Sequence, residues 1–207
     1  MSDVQTKGLL SPQAILSYPH LFTPVAVKPG DPEKYSASFI FTEEQQQTPE
    51  YAAMKAAVIA TAQEKWGDKT AGLIKSGKLQ LPFRTEWEEK GYPENATFIS
   101  PRSGHAPGVV AWNLEPISDE KEIYPGAIVC AQLSAFAWEY MGKVGVSFGL
   151  DNVQKLRDGE RLDGRIAAKN AFTAAEPPAA VDFDDIDQAD ASGASAADAN
   201  DELAGLI

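Results

Sequence analysis

Ile128 to Tyr140 carries the strongest strand signal of the chain, and from Ala131 on it alternates, with Ala131, Leu133, Ala135 and Ala137 on one parity and Gln132, Ser134, Phe136, Trp138 and Tyr140 on the other. A period of two sustained over that length demands a strand with one buried and one open face, and no helix satisfies it. Met141-Gly142-Lys143 then reads as a turn, and Val144 to Val153 as a returning strand. This hairpin is expected to anchor a sheet, so the rest of the fold must pair with it or pack on it. Its polar face runs on into three aromatic rings. Phe136 and Trp138 fit core packing as well as an exposed platform, whereas Tyr140, close to Lys143, fits the platform.

The other strand signals are shorter. Ala14 to Val27 contains Pro19 and Pro24, which forbid a helix interior but are tolerated at strand edges and bulges, so an interrupted strand is expected. Lys28-Pro29-Gly30-Asp31-Pro32 is a turn cluster, and Lys34 to Thr42 alternates again, setting Tyr35, Ala37, Phe39 and Phe41 against Ser36, Ser38 and Ile40. One helix stands out: Thr48 as N-cap, Pro49 at the first helical position, Tyr51, Met54, Ala57, Val58, Ala62 and Trp66 at helical spacing, and Gly67 as the stop. A second, shorter helix is expected from Thr70 to Ser76. Beyond it come short strands at 79–84, 96–100 and 109–114, with Thr85 to Pro93 as a solvated loop. A mainly β chain with one or two helices suits an OB-fold, a five-stranded Greek-key barrel, although periodicity equally allows another small β-barrel.

Charge divides the chain in two. The 207 residues carry 18 basic and 30 acidic side chains, a net charge of −12. Nine of the acids lie between Ala174 and Ile207, where there is no Lys or Arg; taking them from 30 leaves 21 acids against 18 bases, or −3 for the rest. The segment is rich in Ala, Asp and Ser, has one aromatic, Phe183, and ends in Leu203-Ala204-Gly205-Leu206-Ile207. The expected organisation is therefore a folded domain over 1–173 and a disordered acidic tail over 174–207. A single cysteine, Cys130, fits a reducing compartment, and the sequence offers neither an apolar leader nor a run long enough to span a membrane. A cytoplasmic protein is expected.

Several chemistries fall away. Gly72 to Lys78 begins like a phosphate-binding loop, but Leu79 stands where a Ser or Thr should hold magnesium, and no strand precedes it. His20, His105 and Cys130 are too few for an ordinary zinc site, and Glu86, Glu88 and Glu89 have no partner acids or base for two-metal catalysis. No cofactor or catalytic residue is expected. Aromatic residues beside cations suggest single-stranded nucleic acid instead, because rings stack on bases while Lys and Arg meet phosphates. The candidates are Lys28, Lys34, Tyr35, Arg84, Tyr92, Arg102, Trp138, Tyr140 and Lys143. Lys155, Arg157, Arg161, Arg165 and Lys169 form a denser basic stretch that Asp158, Glu160 and Asp163 dilute.

Leu16-Ser-Tyr-Pro-His-Leu-Phe22, Lys34-Tyr-Ser-Ala-Ser-Phe-Ile-Phe41, Leu81-Pro-Phe-Arg84, Ile123-Tyr-Pro-Gly126 and Gly145 to Gln154 come in an order that resembles a phage and prophage family. This is the family of phage single-stranded DNA-binding proteins once filed as a domain of unknown function, and the resemblance covers about Leu16 to Val153. It implies an OB-fold and non-catalytic binding of ssDNA in phage replication or recombination, in the bacterial host cytoplasm. The tail is similar in kind to the acidic tails of bacterial and phage ssDNA-binding proteins. That likeness implies modulation of DNA binding and recruitment of replication or recombination proteins, with Phe183, Leu203, Leu206 and Ile207 as partner-binding residues. Two other readings remain open: a strand-annealing recombination mediator, and an acidic interaction protein or DNA mimic without DNA affinity.

Overall fold

The computed structural model describes residues 8–162. The expected boundary at residue 173 and the whole tail, Phe183, Leu203, Leu206 and Ile207 included, lie outside the described residues. Nine strands and four α-helices follow in the order β1 (Leu9–Leu10), β2 (Ala14–Val25), β3 (Lys34–Phe41), α1 (Glu43–Gln46), α2 (Pro49–Trp66), α3 (Lys69–Lys75), β4 (Leu79–Gln80), α4 (Trp87–Lys90), β5 (Thr97–Ile99), β6 (Arg102–Ser103), β7 (Gly108–Val110), β8 (Ile128–Tyr140) and β9 (Lys143–Arg157).

The pairings close on themselves. β2 pairs with β3, β3 with β5 and β6, β6 with β9, β9 with β8, and β8 with β2. All are antiparallel except β6–β9, which joins Arg102 to Gly149 in parallel. β5 and β6 keep one register against β3, from Ile40↔Phe98 to Tyr35↔Ser103, so they are one strand interrupted where Pro101 lacks an N–H. Counted this way the barrel has five strands closed by one parallel contact, the Greek-key arrangement of an OB-fold. β1 extends the sheet beside β8, and β4 and β7 add to the edge of β9 before and after β6.

Alternation decides what lies inside. Phe39, Phe41, Leu16, Ala131, Leu133, Val146, Phe148 and Leu150 fill the barrel, each 3% exposed or less. α2 supplies Tyr51, Met54, Val58 and Ala62 to the same core, a stripe at helical spacing along one face. Its start is as the sequence predicts: Pro49 opens the helix, and the Thr48 side chain accepts a hydrogen bond from the Tyr51 N–H. Gly67, with φ of 53°, ends it. Tyr51 packs on Phe41 and Phe83, with ring centroids 5.3 and 5.4 Å away, and Phe83 on Phe148 at 5.9 Å, so aromatic contacts join the helix to β9.

Three expectations need correction. The helices number four because α1 and α4 are single turns too short to show a period; a Thr42–Gln45 capping box starts α1. The strand expected over 79–84 shrinks to Leu79–Gln80, and Arg84 survives only as an isolated bridge to Phe98. The segment expected as a solvated loop is a cover. The outer faces of β3 and β5 carry Ile40 and Phe98, and Tyr92, Ala96 and Trp87 close over them as a second small core. Gly91, left-handed at φ of 65°, turns the chain back after α4 so that Tyr92 reaches that core.

Candidate nucleic-acid interface

The outer face of the β8–β9 hairpin is open. Along β8 the outward row is Ser134, Phe136, Trp138 and Tyr140; opposite them on β9 stand Gly149, Ser147, Gly145 and Lys143. Met141 and Gly142 form the two-residue turn, both with positive φ, which fixes this register. The consequence is an asymmetric surface, with bulky rings on one strand and almost no side chain on its neighbour. Phe136 is 47% exposed and Tyr140 68%.

Trp138 is held in place. Its indole Nε1 donates to Ser147 Oγ at 2.9 Å, and its ring lies so close to Gly145 that a Cβ there would come within 2.5 Å of Cζ2. Gly145 thus gives the ring its bed and Ser147 fixes its orientation, leaving the indole half-buried. A ring pinned in this way is pre-ordered as a flat surface for stacking.

Across β9 the same outward row continues through Gly149 to Arg102 on β6 and from Arg102 to Ser36 on β3. Lys34 lies two residues before Ser36, on the same face. Between these cations and the rings of β8 lies a groove of about 550 Å³, lined also by Val25 at the end of β2 and by Val27, Asp31 and Pro32 from the connection between β2 and β3. That connection turns at Lys28-Pro29-Gly30-Asp31, where the Asp31 N–H donates to the Lys28 carbonyl and Gly30 takes φ of 91°. Lys28 is exposed on this turn and Lys143 is exposed opposite Tyr140. Asp31 is the one acid among the lining residues and offsets part of the charge of Lys34 and Arg102.

Of the nine candidates, the structure brings Lys34, Arg102, Trp138 and Tyr140 into one groove, with Lys28 and Lys143 on the adjoining turns. Three fall elsewhere. Tyr92 is 8% exposed, edge-on to Phe98 at 5.3 Å, and its hydroxyl donates to Ser17 Oγ at 3.2 Å. Its ring offers no face to a base, and burial pushes its phenol above the ordinary tyrosine range. Tyr35 shares the inward parity of Ala37 and Phe39, opposite to Lys34 and Ser36, and does not line the groove. Arg84 is exposed but bridges Phe98, away from the groove lining. In the diluted basic stretch, Lys155 ends in a 2.8 Å ion pair with Asp158, while Arg165 and Lys169 lie outside the described residues.

Sequence reasoning missed Ser36 and the apolar part of the lining, because Val25, Val27 and Pro32 carry no chemistry of their own. It also missed the bed on which the Trp138 ring lies. The alternation Gly145, Ser147, Gly149 was the available signal, since small residues at period two opposite aromatic ones mark where a ring or a ligand must lie flat. Among the described residues, no three His, Cys, Asp or Glu side chains gather as a metal site, and no helix is long and apolar enough to cross a membrane.

Solved structures share this fold. The single-stranded DNA-binding protein from bacteriophage Enc34 in complex with ssDNA superposes with a TM-score of 0.64 at 20% identity, covering 76% of this chain and 90% of that one. Another structure of the Enc34 protein gives 0.60 at 19% identity, covering 82% and 92%. Gp2.5, a single-stranded DNA-binding protein encoded by bacteriophage T7, gives 0.55 at 12% identity, covering 78% and 98%. At these identities the likeness is one of fold. A search of curated protein sequences finds no match. The family model described as Enterobacter phage Enc34, ssDNA-binding protein, matches residues 9–184, and the chain belongs to that family.

Proposed function

We propose that this protein binds single-stranded DNA, without catalysis, along the groove between β3–β6 and the β8–β9 hairpin. Bases stack on Trp138 and Tyr140, and Phe136 extends the platform. Lys34 and Arg102 meet phosphates, helped by Lys28 and Lys143. The observation that carries this reading is the convergence of two cations from β3 and β6 with two rings from β8 in one groove. It lies on the face, bounded by the first and last hairpin connections, where OB barrels take oligonucleotides. Membership of a phage ssDNA-binding family supports the same reading and its setting in phage DNA replication or recombination.

The acidic tail is assigned two roles: occupying the cationic groove until DNA displaces it, and recruiting replication or recombination proteins through Phe183, Leu203, Leu206 and Ile207. The protein would act in the bacterial host cytoplasm. Fluorescence titration of labelled ssDNA and dsDNA with the full chain, a chain ending at Thr173, and Trp138→Ala and Tyr140→Ala variants tests the whole reading. Preference for ssDNA, weaker binding by both variants and tighter binding after truncation are expected. Wild-type affinity in both ring variants would remove the groove from the account, and unchanged affinity on truncation would leave the tail no part in modulating DNA binding.

A further inference from the structure

The outward row that forms the groove does not end at Ser36. Ser36 pairs with His20 on β2, so the row runs on one strand further, about 4.8 Å, onto a part of the barrel that the groove does not include. There the β2–β3 register slips by one residue between Ser17 and His20, and the extra residue is Tyr18. Its φ is 45°, the left-handed conformation that a bulge of this kind ordinarily gives to glycine. A tyrosine in that position strains the backbone, yet its ring is 59% exposed, so core packing does not explain it. What the bulge does is aim the ring outward. Tyr18 and His20 form one side of a second concavity, about 720 Å³, whose other side carries Lys121, Tyr124 and Arg161. Tyr124 is itself held firm: Arg161 lies over its ring at 4.3 Å, and its hydroxyl donates to Asp158 at 3.0 Å.

We infer that the ssDNA path crosses β3 onto β2 and that a base of the same strand stacks on Tyr18 in this second concavity. The inference rests on the groove reading given above. Asp119 and Glu120 line the concavity together with Lys121 and Arg161, so its formal charge is close to balanced. It therefore holds a base by stacking and contributes little to phosphate neutralisation. A pinned ring in the groove, a row of small or polar side chains through Gly149, Arg102 and Ser36, and a second outward ring on β2 make one continuous track.

The test uses oligo-dT of increasing length, about 4 to 16 nucleotides, the span of site sizes found for OB-folds, with the full chain and with Tyr18→Ala and Tyr18→Gly. Glycine suits the left-handed bulge, so Tyr18→Gly should melt no lower than the wild type and keeps the test independent of folding. Both variants should match the wild type on the shortest oligomers. On longer ones they should bind about five-fold or more weaker, with the same salt dependence, because one stacked base is lost and no phosphate contact. Length curves superimposing on the wild type would overturn the inference, even where Trp138→Ala still weakens binding. Loss of affinity at every length would overturn it too, placing Tyr18 in the first groove. Failure of the groove reading is separately visible, because Trp138→Ala and Tyr140→Ala would then bind normally at all lengths.

Discussion

Gly145→Ala isolates the geometry that holds the Trp138 platform. The added methyl would lie 2.5 Å from Cζ2 and 2.7 Å from Cε2 of the indole, and 2.9 Å from the Gln80 carbonyl oxygen of β4. The φ of Gly145 is not positive, so alanine fits the backbone. Were the ring free to swing aside, the gain of roughly 0.5–1 kcal/mol from replacing a strand glycine by alanine would be opposed only by the close approach to the Gln80 carbonyl oxygen. The ring is not free, because Ser147 Oγ accepts its N–H. Overpacking of a fitted site costs about 1–3 kcal/mol, and breaking the indole hydrogen bond adds about 0.5–1.5 kcal/mol. After the backbone gain is subtracted, a net loss of about 0.5–4 kcal/mol is expected in urea melts. Affinity for oligo-dT should fall with it. One displaced stacking ring is worth about 1–3 kcal/mol, or roughly 5- to 150-fold in Kd. In a Trp138→Ala background the alanine should add almost nothing to the loss of affinity, because the ring it displaces is gone. Wild-type affinity and stability in Gly145→Ala, or full additivity with Trp138→Ala, would refute the idea that a glycine bed positions the indole.

The remaining predictions bear on charge, on the corrected position of Tyr92 and on Cys130. Lys34→Ala and Arg102→Ala should each reduce the slope of log affinity against log salt by about 0.7, measured by titration over a salt series; unchanged slopes would take phosphates away from the groove. Tyr92→Phe should leave ssDNA affinity unchanged while lowering stability by about 0.5–1.5 kcal/mol through loss of the bond to Ser17. Burial, ahead of all other causes, holds the phenols of Tyr51 and Tyr92 above their ordinary 10.0, so folding favours their neutral forms. That stability is intact below the ordinary value and is lost as pH rises through the raised one, and alkaline denaturation of Tyr92→Phe should be correspondingly shallower. Burial also pushes the Cys130 thiol up, and its Sγ donates to the Ser11 carbonyl at 3.0 Å. A thiol reagent at neutral pH should therefore react much more slowly with the native chain than with the urea-unfolded one; equal rates would show the thiol to be open.

What could be read from the sequence was what the chain encodes locally. The β8–β9 hairpin declared itself because one period of two, a Met-Gly turn and a second such period are contiguous, and the N-cap, first-position proline and closing glycine of α2 are local chemistry as well. Six of the nine candidates, Trp138 and Tyr140 from the outward parity of β8 and Lys28, Lys34, Arg102 and Lys143 as cations near strand ends, fall in or beside the groove. The failures have separate causes. Tyr92 sits in a stretch of charges and looks solvated until β3 and β5 are known to leave Ile40 and Phe98 uncovered on their outer faces. Tyr35 shares the parity of Ala37, Phe39 and Phe41, which the barrel turns inward, so nearness to Lys34 along the chain does not bring it to the groove.

Barrel closure explains how a body of net charge −3 gathers cations and rings around one groove. The parallel contact of Arg102 with Gly149 joins residues 47 positions apart, and no local pattern announces it. Yet it is this contact that carries the cations of β3 and β6 to the far side of a glycine-lined strand from the aromatic row of β8. Without closure, Lys34 and Arg102 would still be neighbours through the Ser36↔Arg102 pairing of β3 and β6, but at an open sheet edge away from the rings of β8. With it, they face two rings across one groove, and the acids of α1, α4 and the 3-10 turn at Glu120–Glu122 lie on elements that do not line it. The partition of charge follows from topology and not from composition. On the proposed reading a groove with so few cations would draw much of its affinity from stacking, so the positions of Gly145 and Ser147 would matter as much as any lysine.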